Sequence, residues 1–140
     1  MARVVRVAHL ALVHEDMDVA LRFWRDGLGI AVARVADVPQ EGVRVAFLPV
    51  GDDEIEIVVP QRLDTGVARF LAKRGPGMHH VCLEVDDLDA MLARLRGQGV
   101  ELINETPRVS PDGRRYAFIH PRSAGGVLVE LYEARADTTA

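Results

Sequence analysis

Two histidines and two glutamates recur at matching places along this chain: His9 and Glu56, then His80 and Glu130. Each histidine opens an apolar stretch, Leu10-Ala11-Leu12-Val13 after the first and Val81-Cys82-Leu83 after the second, and an aspartate follows nine residues on, Asp18 and Asp89. Each glutamate interrupts an apolar run, in Asp53-Glu54-Ile55-Glu56-Ile57-Val58-Val59 and in Gly126-Val127-Leu128-Val129-Glu130-Leu131-Tyr132. The separations are close, 47 residues from His9 to Glu56 and 50 from His80 to Glu130. A duplicated half that carries one histidine and one glutamate supplies four ligands when two halves pair. Imidazole and carboxylate in a two-plus-two set suit a divalent first-row ion, with positions left open for water or substrate. A metal-dependent enzyme is therefore expected; the ion would be cobalt, manganese, nickel or similar, and the residues do not specify which.

Singly, each of these residues has a plainer reading. A histidine at the start of a strand can cap it or be partly buried, and a glutamate in an alternating strand can simply face water. The recurrence of all four at equivalent places is what favours ligation. Adjacent side chains on a strand point to opposite faces, so only one of His79 and His80 can be a ligand. His80 aligns with His9, and His79 is expected to point the other way. His14 reads as a solvated turn residue and Trp24 as core. Asp86, Asp87 and Asp89 provide capping and acidic charge at a helix start. The loop His120-Pro121-Arg122-Ser123, just before Glu130, is a candidate contact segment, because loops held by a rigid scaffold often carry binding groups.

With 140 residues the chain has enough surface to bury a core, and its 49% hydrophobic and 27% charged composition is that of an ordinary globular domain. A net charge of -4 argues against a nucleic-acid partner. No apolar run reaches the length of a membrane span, and the N-terminus lacks a signal-peptide pattern. Cys82 is the only cysteine, so no intrachain disulfide can form; a cytoplasmic location and a buried thiol are expected.

The elements that must position these residues repeat in order. Residues 3–13 read as a strand, and Val19, Ala20, Leu21, Trp24 and Leu28 give the stripe of a helix over about 16–27, ended by Gly27 and Gly29. Strands Ile30–Val35, Val43–Val50 and Glu54–Val59 follow, the last two joined at Gly51-Asp52-Asp53. A short helix over about 64–74, with Val67, Phe70 and Leu71 inward, bridges to Gly75-Pro76-Gly77. The second half reads as strand 79–85, helix 87–97, strand 100–104, strand Arg115–His120 and strand Val127–Tyr132. The tail from Ala134 to Ala140 is expected to fray. The pattern predicts one α+β domain over 1–140, with βαβββ modules of about 1–62 and 76–134 joined by a helical linker, and curved mixed sheets around a metal-containing cleft.

Three blocks carry a family resemblance: Gly42-Val43-Arg44-Val45-Ala46-Phe47-Leu48-Pro49-Val50-Gly51; Phe70-Leu71-Ala72-Lys73-Arg74-Gly75-Pro76-Gly77-Met78-His79-His80; and Phe118-Ile119-His120-Pro121-Arg122-Ser123-Ala124-Gly125-Gly126-Val127-Leu128-Val129-Glu130-Leu131. On these the chain resembles the vicinal oxygen chelate superfamily, and within it the methylmalonyl-CoA epimerases. The resemblance implies an isomerase that interconverts the epimers of an acyl-CoA thioester through an enolate, with His9, Glu56, His80 and Glu130 as metal ligands. It also implies a proton carrier at Glu130. The second carrier in some epimerases is a glutamate at the position of Val45, which here has no proton to carry; Glu56 is the expected substitute. The loop 107–113, Pro-Arg-Val-Ser-Pro-Asp-Gly, departs from the glycine-rich run of the family. Lys73, Arg74, Arg122 and Ser123 are the candidates for holding the acyl-CoA substrate, and a homodimer is expected. The alternatives are a glyoxalase I-like lyase acting on a glutathione hemithioacetal, and a non-catalytic small-molecule-binding or resistance protein of the same fold.

Overall fold

Strand alternation, helix caps and glycine turns account for most of the elements in the computed structural model, which describes residues 1–135. The first strand, β1 (Val4–Val13), runs into α1 (Met17–Leu21), whose N-cap Asp16 accepts a hydrogen bond from Val19 N at 3.1 Å. The helix then widens into a π-helical turn over Arg22–Gly27. Ala20 and Leu21 are buried, but Val19 and Leu28, assigned to the inner stripe from sequence, are 43% and 54% exposed. The wider turn, which begins after Val19, rotates Leu28 off the 3.6-residue period of that stripe.

Next come β2 (Arg34–Val38), β3 (Val43–Val50) and β4 (Asp53–Pro60). The strand expected over Ile30–Val35 is thus shifted along the chain. Ile30 and Val32 tuck against the core beside α1 as irregular chain, and pairing with β3 begins properly only at Arg34. Gly51, at φ +60°, and Asp52 make the two-residue turn between β3 and β4. Positive φ at the first turn position alone is the type II′ pattern, which matches the strand twist. Gly42 is held at φ +67°, and a Cβ there would lie 2.6 Å from Thr65 Cγ2, so only glycine fits where β3 begins. After β4, Thr65 caps α2 (Gly66–Arg74).

The chain continues through β5 (Gly77–Val85), α3 (Leu88–Gly97), β6 (Arg108–Val109), β7 (Arg115–Ile119) and β8 (Val129–Glu133). Asp87 caps α3 as Asp16 caps α1; each lies seven residues after its histidine, so the acidic turn of the repeat is a helix-capping device in both halves. The strand expected over 100–104 is reduced to a single bridge, Leu102 to Ile119. Side chains take the backbone groups that a ladder would use: Ser123 Oγ accepts from Glu101 N, and Asn104 Oδ1 accepts from Phe118 N. The two-residue β6 was not expected from sequence.

Two units emerge, one of His9–His79 and one of Met1–Ala8 together with the chain from His80 on. In the first, the strand order is β2-β3-β4-β1, with β1 and β4 parallel. In the second it is β6-β7-β8-β5, with β5 and β8 parallel. The same mixed pattern is drawn twice. In the first unit α1 packs on one sheet face, over Leu48 and Ile57, while Val67, Phe70 and Leu71 of α2 pack on the other, against Val43, Val45 and Val58. In the second, α3 covers its sheet with fully buried Leu88 and Leu92. Burying side chains of that size contributes about 1.5–3 kcal/mol each. Among the described residues no helix is long and apolar enough to cross a membrane.

Candidate functional site

Period-two geometry and strand register place one histidine and one glutamate on the same sheet face in each unit. In the first, Ala11 of β1 stands opposite Glu56 of β4, and His9 is two residues before Ala11, hence on the same face. His9 Nδ1 lies 3.0 Å from Glu56 Oε2; the two side chains are 5% and 12% exposed. In the second, Cys82 of β5 stands opposite Glu130 of β8, and His80 is two residues before Cys82. His80 Nε2 lies 2.9 Å from Glu130 Oε1, and both side chains are 9% exposed. Each glutamate also faces a phenylalanine on its antiparallel neighbour, Phe47 for Glu56 and Phe118 for Glu130. The His80 ring packs edge-on against Phe118, with centroids 5.2 Å apart.

These contacts are a fit test for a divalent ion. A buried carboxylate is costly without a compensating partner, and each unit provides an imidazole nitrogen as that partner. The donor set is borderline nitrogen and hard oxygen, the combination that binds first-row divalent ions. His9 with Glu56, and His80 with Glu130, are the residues able to hold one. His79 points elsewhere: its ring packs against Phe70 of α2 at 5.0 Å. Cys82 is fully buried. His14 accepts a hydrogen bond from Asp16 N and shapes the turn before α1.

Val45 lies opposite Val58, only 4% exposed, in the core that α2 covers. A glutamate there would bury a charge among Val43, Val58 and the α2 side chains, so Val45→Glu is expected to destabilise the fold by about 3 kcal/mol, read as a lower denaturation midpoint. An unchanged midpoint would show that this face opens to water.

The candidates for substrate binding come from both units. Lys73 and Arg74 are exposed in the last turn of α2, with the Arg74 guanidinium 5.5 Å from the Phe70 ring centroid. Arg122 and Ser123 lie in the other unit, in the 3₁₀ turn Pro121–Ser123, and both engage Glu101. Arg122 Nη1 sits 3.2 Å from Glu101 Oε1, and Ser123 Oγ accepts from Glu101 N at 2.9 Å. His120 caps that turn by accepting from Arg122 N.

Sequence reasoning missed Glu84. It shares a face of β5 with His80 and Cys82 and is 5% exposed. Arg6 Nε donates to its Oε2 at 2.8 Å, and Arg114 Nη2 stands 3.8 Å from its Oε1. Counting in twos from His80 would have found it. The Arg114 guanidinium also lies 4.3 Å over the Tyr132 ring, and Tyr132 Oη donates to Ser110 Oγ, pinning the loop 107–113. Burial pushes the Tyr132 hydroxyl up to about 12.

Residues 8–118 match the model of the glyoxalase/bleomycin resistance protein/dioxygenase superfamily. The mitochondrial methylmalonyl-CoA epimerase of Mus musculus is 36% identical over 130 residues, which span 92% of this chain and 73% of that protein. An ethylmalonyl-CoA/methylmalonyl-CoA epimerase of Cereibacter sphaeroides is 34% identical, over 90% of this chain and 96% of the relative. The crystal structure of methylmalonyl-CoA epimerase from Mycobacterium tuberculosis superposes with a TM-score of 0.88 at 39% identity, covering 98% of this chain and 93% of that one.

Proposed function

Because the chain belongs to the methylmalonyl-CoA epimerase family and has the α+β vicinal oxygen chelate fold, we propose that it is an isomerase that interconverts the two epimers of methylmalonyl-CoA. His9 with Glu56, and His80 with Glu130, are the residues that would hold a divalent ion. The observation that carries this reading is the duplicated rung. In each unit a buried histidine two residues before the position facing a strand glutamate meets that glutamate's carboxylate, at 3.0 Å and 2.9 Å.

The acidic hydrogen of the substrate is on the carbon between thioester and carboxylate. Its removal moves an electron pair into the thioester, and a bound divalent ion such as cobalt, manganese or nickel would stabilise the charge on the thioester oxygen as a Lewis acid. Glu130 takes the proton onto its carboxylate, and Glu56, already carrying a proton taken from solvent, returns it to the opposite face and is left as the carboxylate. For the other epimer the two exchange roles. Val45 takes no part, having no titratable atom. Lys73, Arg74 and Arg122 attract the phosphates of the acyl-CoA, and Ser123 adds a hydroxyl. The enzyme works as a cytoplasmic homodimer on this reading.

The test is turnover of one resolved methylmalonyl-CoA epimer in deuterated solvent, run beside the hemithioacetal of methylglyoxal and glutathione. Interconversion with deuterium entering the α-carbon is the expected result. Turnover of the hemithioacetal alone would overturn the assignment in favour of a lyase. Neither reaction, in metal-loaded protein, would leave a binding protein.

A further inference from the structure

The rung that carries Glu56 continues across two more strands. Phe47 of β3 stands opposite Glu56, and Arg34 of β2 stands opposite Phe47, so all three side chains rise from one sheet face. The Arg34 guanidinium sits 3.8 Å above the centre of the Phe47 ring. Neighbouring arginines of the same unit are neutralised: Arg25 pairs with Asp26, Arg44 with Asp37 and Arg62 with Asp64. Among the described residues no carboxylate lies within ion-pair distance of Arg34, although the chain carries an excess of acidic groups.

A guanidinium stacked on an aromatic face uses its π surface there and keeps its in-plane N–H groups for another ligand. That edge matches a carboxylate in two parallel hydrogen bonds. β2 ends the strand order of its unit, so Arg34 is exposed and can be approached from solvent. Adjacent strands are about 4.8 Å apart, which puts the Arg34 backbone roughly 10 Å from that of Glu56. An arginine side chain covers much of that distance.

We propose that Arg34, held on the Phe47 ring, binds the free carboxylate of the acyl group and so selects malonyl-type thioesters over simple acyl thioesters. This rests on the acyl-CoA reading above. Phe47 sets the tilt of the guanidinium, and Arg34 is a binding residue that moves no proton.

Calorimetric titration of wild type, Arg34→Gln and Arg34→Lys with malonyl-CoA, propionyl-CoA and free CoA tests this. Arg34→Gln is expected to weaken malonyl-CoA about tenfold while leaving propionyl-CoA and CoA within about twofold. Arg34→Lys keeps the charge without the planar fork and is expected to fall between. Equal weakening of all three ligands would move Arg34 to the CoA phosphates and overturn the carboxylate assignment. Unchanged malonyl-CoA affinity in Arg34→Gln, with wild type binding normally, would overturn it outright. Wild type that binds none of the three would overturn the acyl-CoA reading itself, and the Arg34 assignment with it.

Discussion

Glu130→Gln is expected to lower kcat for methylmalonyl-CoA epimerisation by roughly a hundred- to ten-thousandfold, the range that a positioned proton carrier contributes. The substitution keeps an amide oxygen where the carboxylate stands 2.9 Å from His80, so bound metal and fold should survive. Exchange and interconversion should then separate. With Glu56 intact, the α-proton of one epimer still exchanges with deuterated solvent, while conversion to the other epimer stops. Glu56→Gln should give the mirror image, exchanging the opposite epimer. Proton NMR of each resolved epimer reads both quantities. Glu56→Gln that epimerises at the wild-type rate would reduce Glu56 to a ligand, and the returned proton would have to come from elsewhere.

His80→Ala should cost most of the bound metal. It removes one of two imidazoles and leaves the carboxylate of Glu130, a buried residue, without its 2.9 Å partner. Losing a ligand should cost more than the roughly 10–100-fold in affinity typical of losing a residue that merely supports one. Dialysis against trace cobalt followed by elemental analysis checks this, with His9→Ala expected to behave alike because its contact with Glu56 is the equivalent one. His79→Ala is the control. Its ring lies against Phe70, so stoichiometric cobalt should remain. Full cobalt in His80→Ala, with loss in His79→Ala, would show that the other member of the pair is the ligand.

Val45 shows how family pattern and local packing can part. A carboxylate there would need water or a cation, and in this chain the position is closed by Val58 and by α2. The same sheet face carries Glu56 one rung further along, beside a histidine in place of a hydrocarbon wall. A protonatable group is tolerable at that rung and costly at the other. This is the physical reason to seek the second proton carrier at Glu56.

The repeat was legible in the sequence because its signals are local. Strand alternation, the capping aspartates Asp16 and Asp87, and the Gly51 turn each act within a few residues, and they fix which side chains share a face. His9, Glu56, His80 and Glu130 could therefore be chosen by counting. Other features had no local signal. The π turn at Arg22–Gly27 and the loss of a strand at 100–104 depend on which backbone groups find partners, and in the second case Ser123 accepts from Glu101 N, 22 residues away, and Asn104 from Phe118 N, 14 residues away. The pairing of Arg6 with Glu84 spans 78 residues. Arg34 reads as one more charged residue until register sets it beside Phe47 and Phe47 beside Glu56. Periodicity determines the face a residue takes, since that is a property of its own strand. Its neighbour across the sheet is decided by register, which only the tertiary structure contains.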